Sequence, residues 1–276
     1  MNVHKTQVSI DREKTSIHYT IYKKNDDSQR KILFIPGSRL GGLETFESLV
    51  DLLGSYSEII ISEIRGAGPI SPLCTSNNSF TIADLMDDLF EILEQENWSQ
   101  FNVVGYSFGG LLSMLLKETL KKKILNHVII ESALLAESDA RLLKLADELD
   151  QIATIIEHDP EEGNDRFTQL VVPQNKIFPA FENPRRTIYN PLGFSNLLSI
   201  LSHSYRTLDR WALILNQDHI TSILSEYAPE GTQAMMQCIE SRCPSWKIEH
   251  VKGCGHGFIM SKPKKAASII EKVLNF

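Results

Sequence analysis

The chain has 276 residues, 42% hydrophobic and 23% charged, with a net charge of −7. This is globular composition with enough apolar material for a large core, and it suits one α/β domain carrying an insertion as well as it suits two domains. The acidic balance argues against a nucleic-acid partner, and the one basic run, Lys121-Lys122-Lys123, falls at an expected helix end, where cations complement the dipole.

The first residues, MNVHKTQVSIDREK, hold no apolar segment of the kind a secretory signal needs. No apolar run approaches the ~20 residues of a membrane-spanning helix, so no membrane span is expected. Cys74, Cys238, Cys243 and Cys254 form no C-x-x-C pair and match no zinc spacing. A reduced, cytoplasmic protein is the simplest expectation, with a Cys238–Cys243 bridge as the alternative.

Residues Val8 to Lys23 alternate apolar and polar around a break at Asp11 to Lys14, which predicts an antiparallel hairpin. Lys31 to Ile35 reads as a buried strand ending at Pro36-Gly37-Ser38, and Leu43 to Leu53 has helical spacing. Glu58 to Glu63 is a second strand, followed by Arg65-Gly66-Ala67-Gly68, and Thr81 to Gln95 is an amphipathic helix. Phe101 to Val104 and Ile124 to Glu131 are further strands around a helix that begins near Ser107. Apolar strands alternating with helices predict a mostly parallel sheet covered on both faces.

From Ser132 to about Arg210 this rhythm stops. Ala140 to Glu157 reads as helix, His158 to Asp165 as a turn, Phe167 to Val172 as a short helix and Leu197 to Leu208 as another. Residues 133–210 are therefore expected to be a helical lid, or cap, inserted into a core made of residues 1–132 and 211–276. The sheet is expected to resume at Trp211 to Leu215 and to end with Lys247 to Val251, before a last helix over Lys264 to Leu274.

The chemistry concentrates at Gly105-Tyr106-Ser107-Phe108-Gly109, a G-x-S-x-G between a strand and a helix. A serine on so sharp a bend needs small neighbours two positions away, and the helix that starts there turns free N–H groups toward developing negative charge. A serine hydroxyl also needs a base, and the base needs a third group to hold it. His256, in the loop Gly253-Cys254-Gly255-His256-Gly257 after a strand, is the candidate base. Asp218, after the expected penultimate strand, is the candidate acid, with Glu131 at a strand end as its rival. The backbone N–H groups of Ser38 and Phe108 are the candidate oxyanion hole. Arg65 and Tyr106 are candidate substrate contacts, Arg65 having Glu63 as an alternative partner.

These motifs together resemble the α/β-hydrolase fold superfamily, over about Val8 to Phe276. The matching pieces are Phe34 to Ser38, the Glu63-x-Arg65-Gly66-x-Gly68-x-x-Ser71 loop, Gly105 to Gly109, Asp218 and His256. The chain departs from the usual pattern in having Pro36 where histidine is common, Glu63 where aspartate is common, and one extra residue before Ser71. Gly105 to Gly110 with Glu131-Ser132-Ala133 resembles the menaquinone-pathway carbon–carbon lyase. Residues Ala153 to Phe178 and Cys243 to His256 resemble the synthase that joins 3-hydroxyacyl chains for rhamnolipids, and the Arg65-Gly66 loop resembles thioesterases of peptide and polyketide synthesis.

The resemblance implies a serine hydrolase or acyltransferase working on a small-molecule acyl ester or thioester, including acyl groups carried on coenzyme A or a carrier protein. Phe178, Phe181, Tyr189 and Phe194 are candidate linings of an apolar acyl pocket. No metal or organic cofactor is implied, and the oligomeric state is left open. The alternatives are a lyase that uses the serine–histidine pair as base and a ligand-binding protein without catalysis.

Overall fold

The structure, a computed structural model, describes residues 3–12, 15–24, 29–54, 56–70, 79–133, 136, 138–171 and 190–274. Ser71, Phe178, Phe181, Tyr189 and Cys74 lie outside the described residues.

The strands are β1 (Val3–Asp11), β2 (Ser16–Lys24), β3 (Lys31–Ile35), β4 (Glu58–Ser62), β5 (Phe101–Tyr106), β6 (Ile124–Ile130), β7 (Ile220–Ser225) and β8 (Lys247–Val251). They form one sheet in the order β1-β2-β4-β3-β5-β6-β7-β8. The β1–β2 hairpin is antiparallel and joins β4 antiparallel; every pairing from β4 to β8 is parallel.

The apolar strands are buried on both faces by helices. The first are α1 (Gly42–Val50), α2 (Ile82–Gln95) and α3 (Phe108–Leu120). Alternate residues of each strand feed different cores, as the two-residue period of a strand requires. Leu33, Ile35 and Val103 pack with Leu89 of α2 and Leu112 of α3, whereas Ile32, Phe34 and Val104 pack with Phe46 of α1 and Ile270 near the C-terminus. α2 starts where Thr81 and Asp84 cap each other: Thr81 Oγ1 accepts from the Asp84 N–H and Asp84 Oδ2 accepts from the Thr81 N–H.

Between β6 and β7 the first three helices among the described residues are α4 (Asp139–His158), α5 (Pro160–Val171) and α6 (Pro191–Thr207). The expected turn at His158 to Asp165 is instead mostly the start of α5, because Pro160 suits a first helical position. After them come α7 (Arg210–Leu215), α8 (Glu230–Arg242), α9 (Phe258–Ser261) and α10 (Pro263–Val273).

The expected strand at Trp211 to Leu215 is a correction: these residues form α7. Asp209 caps it, its Oδ1 accepting the Ala212 N–H at 2.9 Å. A short apolar run does not by itself distinguish helix from strand. The true strand, β7, carries buried Thr221, Ser222 and Ser225, so it lacks a strongly apolar signature. Trp246 Nε1 donates to Ser222 Oγ at 2.7 Å, which allows that hydroxyl to be buried.

The chain leaves β3 toward β4 on one side and places β5 on the other, so the crossovers reverse between β3 and β5. In open parallel sheets a crevice forms at the carboxyl ends of the strands at such a point. Ile35 stands opposite Gly105 there, and the loops that follow carry Ser38 and Ser107.

At the opposite edge a polar group is sealed inside. His127 Nε2 lies 2.8 Å from Ser113 Oγ, and Lys117, 3% exposed, donates to the Ile124 carbonyl. Burial and the Lys117 cation pull the His127 pKa down from 6.5 to about 3. Between those values the unfolded chain binds a proton at His127 and the folded chain does not. The stability this group contributes is thus present above pH 6.5 and is lost as pH falls, at about 1.4 kcal/mol per pH unit. Urea unfolding of His127→Gln across that window is expected to show a flatter pH dependence than the wild type, whatever its stability at neutral pH. Identical slopes would contradict this account.

Candidate active site

Ser107 sits between β5 and α3 at φ 52°, ψ −117°, outside the ordinary regions for a residue with a side chain. Packing holds it there. A Cβ on Gly105 would lie 2.4 Å from the Gly109 carbonyl oxygen, and one on Gly109 would lie 2.2 Å from the Ile35 carbonyl oxygen. Only glycine lets strand, turn and helix approach so closely. The Ser107 N–H donates to the Ile130 carbonyl at 2.9 Å, and the Ser107 carbonyl accepts from the Gly110 and Ala133 N–H groups. Phe108 is the first residue of α3, a position whose N–H has no partner within the helix. Ser38, 4% exposed, lies with Ser107 on the wall of the same cavity.

The register that pairs Tyr106 with Ile130 ends β5 and β6 side by side, so Glu131 follows β6 next to Ser107. Glu131 also has a positive φ, 47°. Its Oε2 lies 2.8 Å from His256 Nδ1 and its Oε1 accepts the Ser225 N–H at 2.8 Å. The Tyr106 hydroxyl donates to the His256 carbonyl at 3.1 Å, and its ring lies 5.0 Å from the imidazole. Tyr106 thus holds His256, and it lines the smaller of the two cavities that adjoin Ser107.

Asp218 is elsewhere. It precedes β7, whereas Glu131 and His256 lie at the edge where the strands end. The six residues of β7 separate the two edges by roughly 20 Å. Asp218 is exposed and pairs with Lys117 at 2.7 Å, and that cation lowers its pKa. The expectation that Asp218 orients His256 is therefore corrected: the carboxylate on His256 is Glu131. The error follows from α7, because taking Trp211 to Leu215 as the strand put Asp218 after it when it comes before.

Arg65 is corrected as well. Its Nε and Nη2 grip the two oxygens of Asp88 in α2 at 2.5 and 2.6 Å, and Arg12 reaches the same carboxylate at 3.1 Å. Glu63 is not its partner; the Glu63 carboxylate accepts the Gly42 and Leu43 N–H groups at the start of α1. Burial raises the Glu63 pKa to about 7.

Two cavities meet at Ser107, of about 110 and 40 Å³. The larger is closed on one side by Glu131, Ser132 and His256 and on the other by Arg141, Leu145 and Leu149 of α4, Leu170 of α5 and Tyr205 of α6. Phe194 lies edge-on to Phe167 at 5.1 Å, and of these two Phe167 lines the cavity. The sequence reading missed Arg141 and Ser132. The signal for Arg141 is the four-residue spacing of Arg141, Leu145 and Leu149, which puts all three on one helix face.

Residues 32–269 match the alpha/beta hydrolase family, and the chain belongs to it. Members of that superfamily are mostly enzymes. Among solved structures, MenH from S. aureus is 15% identical with a TM-score of 0.77, over 93% of this chain and 97% of that one. MGS-M2, an alpha/beta hydrolase enzyme from a Medee basin deep-sea metagenome library, is 16% identical with a TM-score of 0.78, over 98% of each. AqdC, described in recognition and ring cleavage of the Pseudomonas quinolone signal, is 14% identical with a TM-score of 0.75, over 98% of this chain and 100% of that one. At these identities the likeness carries the fold. A search of curated protein sequences finds no match. Among the described residues, no helix is long and apolar enough to cross a membrane, and Cys238, Cys243 and Cys254 are free thiols.

The new place of Arg65 has a measurable consequence. Arg65→Ala leaves Asp88 buried with only Arg12 beside it, so a loss of about 2 kcal/mol is expected in urea unfolding. Unchanged stability with weakened substrate binding would return Arg65 to the substrate.

Proposed function

We propose that this chain is a serine hydrolase or acyltransferase that forms an acyl-enzyme on Ser107. The observation that carries the reading is the 2.8 Å contact between His256 Nδ1 and Glu131 Oε2, in a cavity shared with Ser107. A carboxylate on Nδ1 holds that nitrogen protonated and leaves the Nε2 lone pair free to act as base.

In the proposed cycle, Ser107 Oγ attacks the carbonyl carbon of an ester or thioester while His256 Nε2 takes the hydroxyl proton. The oxyanion is held by the Ser38 and Phe108 N–H groups. His256, now a cation stabilised by Glu131, gives its proton to the departing alcohol or thiol as the acyl–heteroatom bond breaks. Water or an acceptor hydroxyl then repeats the steps in reverse. The two cavities that share Ser107 suit the acyl group and the leaving group, and the apolar face of the larger one suits the acyl group. In this reading the α4–α6 insertion is a lid over the reacting carbonyl.

The test is intact mass after incubation with a fluorophosphonate, followed by turnover of p-nitrophenyl esters and acyl thioesters. The wild type is expected to gain one adduct and Ser107→Ala none, with turnover falling by roughly 10³-fold or more in the variant. Full turnover by Ser107→Ala would exclude the acyl-enzyme. It would favour use of the same residues as a base for carbon–carbon cleavage.

A further inference from the structure

The face that α4 turns to the larger cavity changes character along its length. Arg141, Leu145 and Leu149 line that cavity at four-residue spacing, so the row spans about 12 Å at 1.5 Å per residue. It runs from a cation to two leucines. Arg141 is the only arginine or lysine among the described residues that line the cavity. Its guanidinium makes no ion pair or hydrogen bond among the described residues.

Arg141 is exposed, and the helix dipole gives no account of its place. Arg141 lies in the first turn of α4, where the helix dipole disfavours a cation. The acid of that turn, Asp139, is taken by Arg210 at 2.8 Å. A second observation points to a ligand in the same cavity. Ser132 lines it, is 3% exposed, and its Oγ has no hydrogen-bond partner among the described residues. Buried hydroxyls are seldom left this way unless something else supplies the partner.

We propose that Arg141 selects a substrate bearing an anionic group, whose apolar part lies along Leu145 and Leu149 and whose polar atom near the reacting carbonyl is bound by Ser132. This rests on the acyl-enzyme reading and names the substrate class for it. Guanidinium pairs a carboxylate or a phosphate with two parallel hydrogen bonds. The anion is either a carboxylate at the far end of the acyl chain or a phosphate on the thioester carrier.

Three substrates separate these sources: a neutral p-nitrophenyl ester, the ester of the same chain length ending in a carboxylate, and the coenzyme A thioester of the neutral chain. In Arg141→Gln, the ratio of kcat/KM for an anionic substrate over the neutral ester is expected to fall about 10- to 100-fold, chiefly through KM, and Arg141→Lys to recover part of it. A fall confined to the carboxylate ester assigns the anion to the acyl chain; a fall confined to the thioester assigns it to the carrier. Ser132→Ala is expected to lower kcat/KM for the same substrate. Ratios unchanged in Arg141→Gln for both anionic substrates overturn the proposal.

Fluorophosphonate labelling of wild type and variant is scored first, so that failure of the serine chemistry is seen by itself. If no ester turns over, thermal unfolding with a linear dicarboxylate and with coenzyme A decides. Stabilisation of the wild type that Arg141→Gln loses supports the anion site, and its absence with both ligands rejects it.

Discussion

The site depends on one hydrogen bond, from His256 to Glu131. The Glu131 side chain is 2% exposed, and a carboxylate so buried is tolerated only with partners. It has two, the Ser225 N–H and the His256 imidazole. That carboxylate therefore ties the end of β6 to the end of β7 and to the loop after β8. The parallel register makes this possible, because it brings the ends of β5 to β8 to one edge of the sheet. Tyr106, the last residue of β5, completes the support by bonding the His256 backbone.

Much of this was legible in the sequence, for physical reasons. Strands buried on both faces are continuous apolar runs, so β3, β4 and β5 were recognisable, and Gly105 and Gly109 flag the turn at Ser107 because no larger residue fits. His256 stood out by its glycine-flanked loop. What could not be read was the acid. Trp211 to Leu215 is as apolar as any strand and is a helix; Ile220 to Ser225 is half hydroxyls and is a strand. That exchange moved Asp218 to the wrong edge. Glu131, the rival acid at the end of β6, is preferred over Asp218 only once the register of β5 against β6 is known. Arg65 was misplaced for a similar reason, since its partner Asp88 lies on a helix whose position against the β4 loop is a tertiary fact.

The core supplies the groups around Ser107, and the insertion supplies much of the surface a ligand would meet. The two are joined by polar contacts at the rim. Arg39, in the loop after β3, reaches Thr168 of α5 at 3.1 Å, and Tyr205 of α6 donates to the Ala133 carbonyl. With Phe167 and Leu170 on one side and Arg141 on the other, the insertion offers both apolar area and charge. Changes there would alter what enters the cavity while leaving the Glu131–His256 contact in place.

The central claim is that Glu131, and not Asp218, serves His256. The rate at which a fluorophosphonate labels Ser107 measures this without knowledge of the substrate, because labelling needs the serine to be activated by its base. Glu131→Gln is expected to slow labelling by roughly 10³-fold or more, as loss of the orienting carboxylate does in such sites. Asp218→Asn is expected to label at the wild-type rate. Fast labelling of Glu131→Gln with slow labelling of Asp218→Asn would contradict the account.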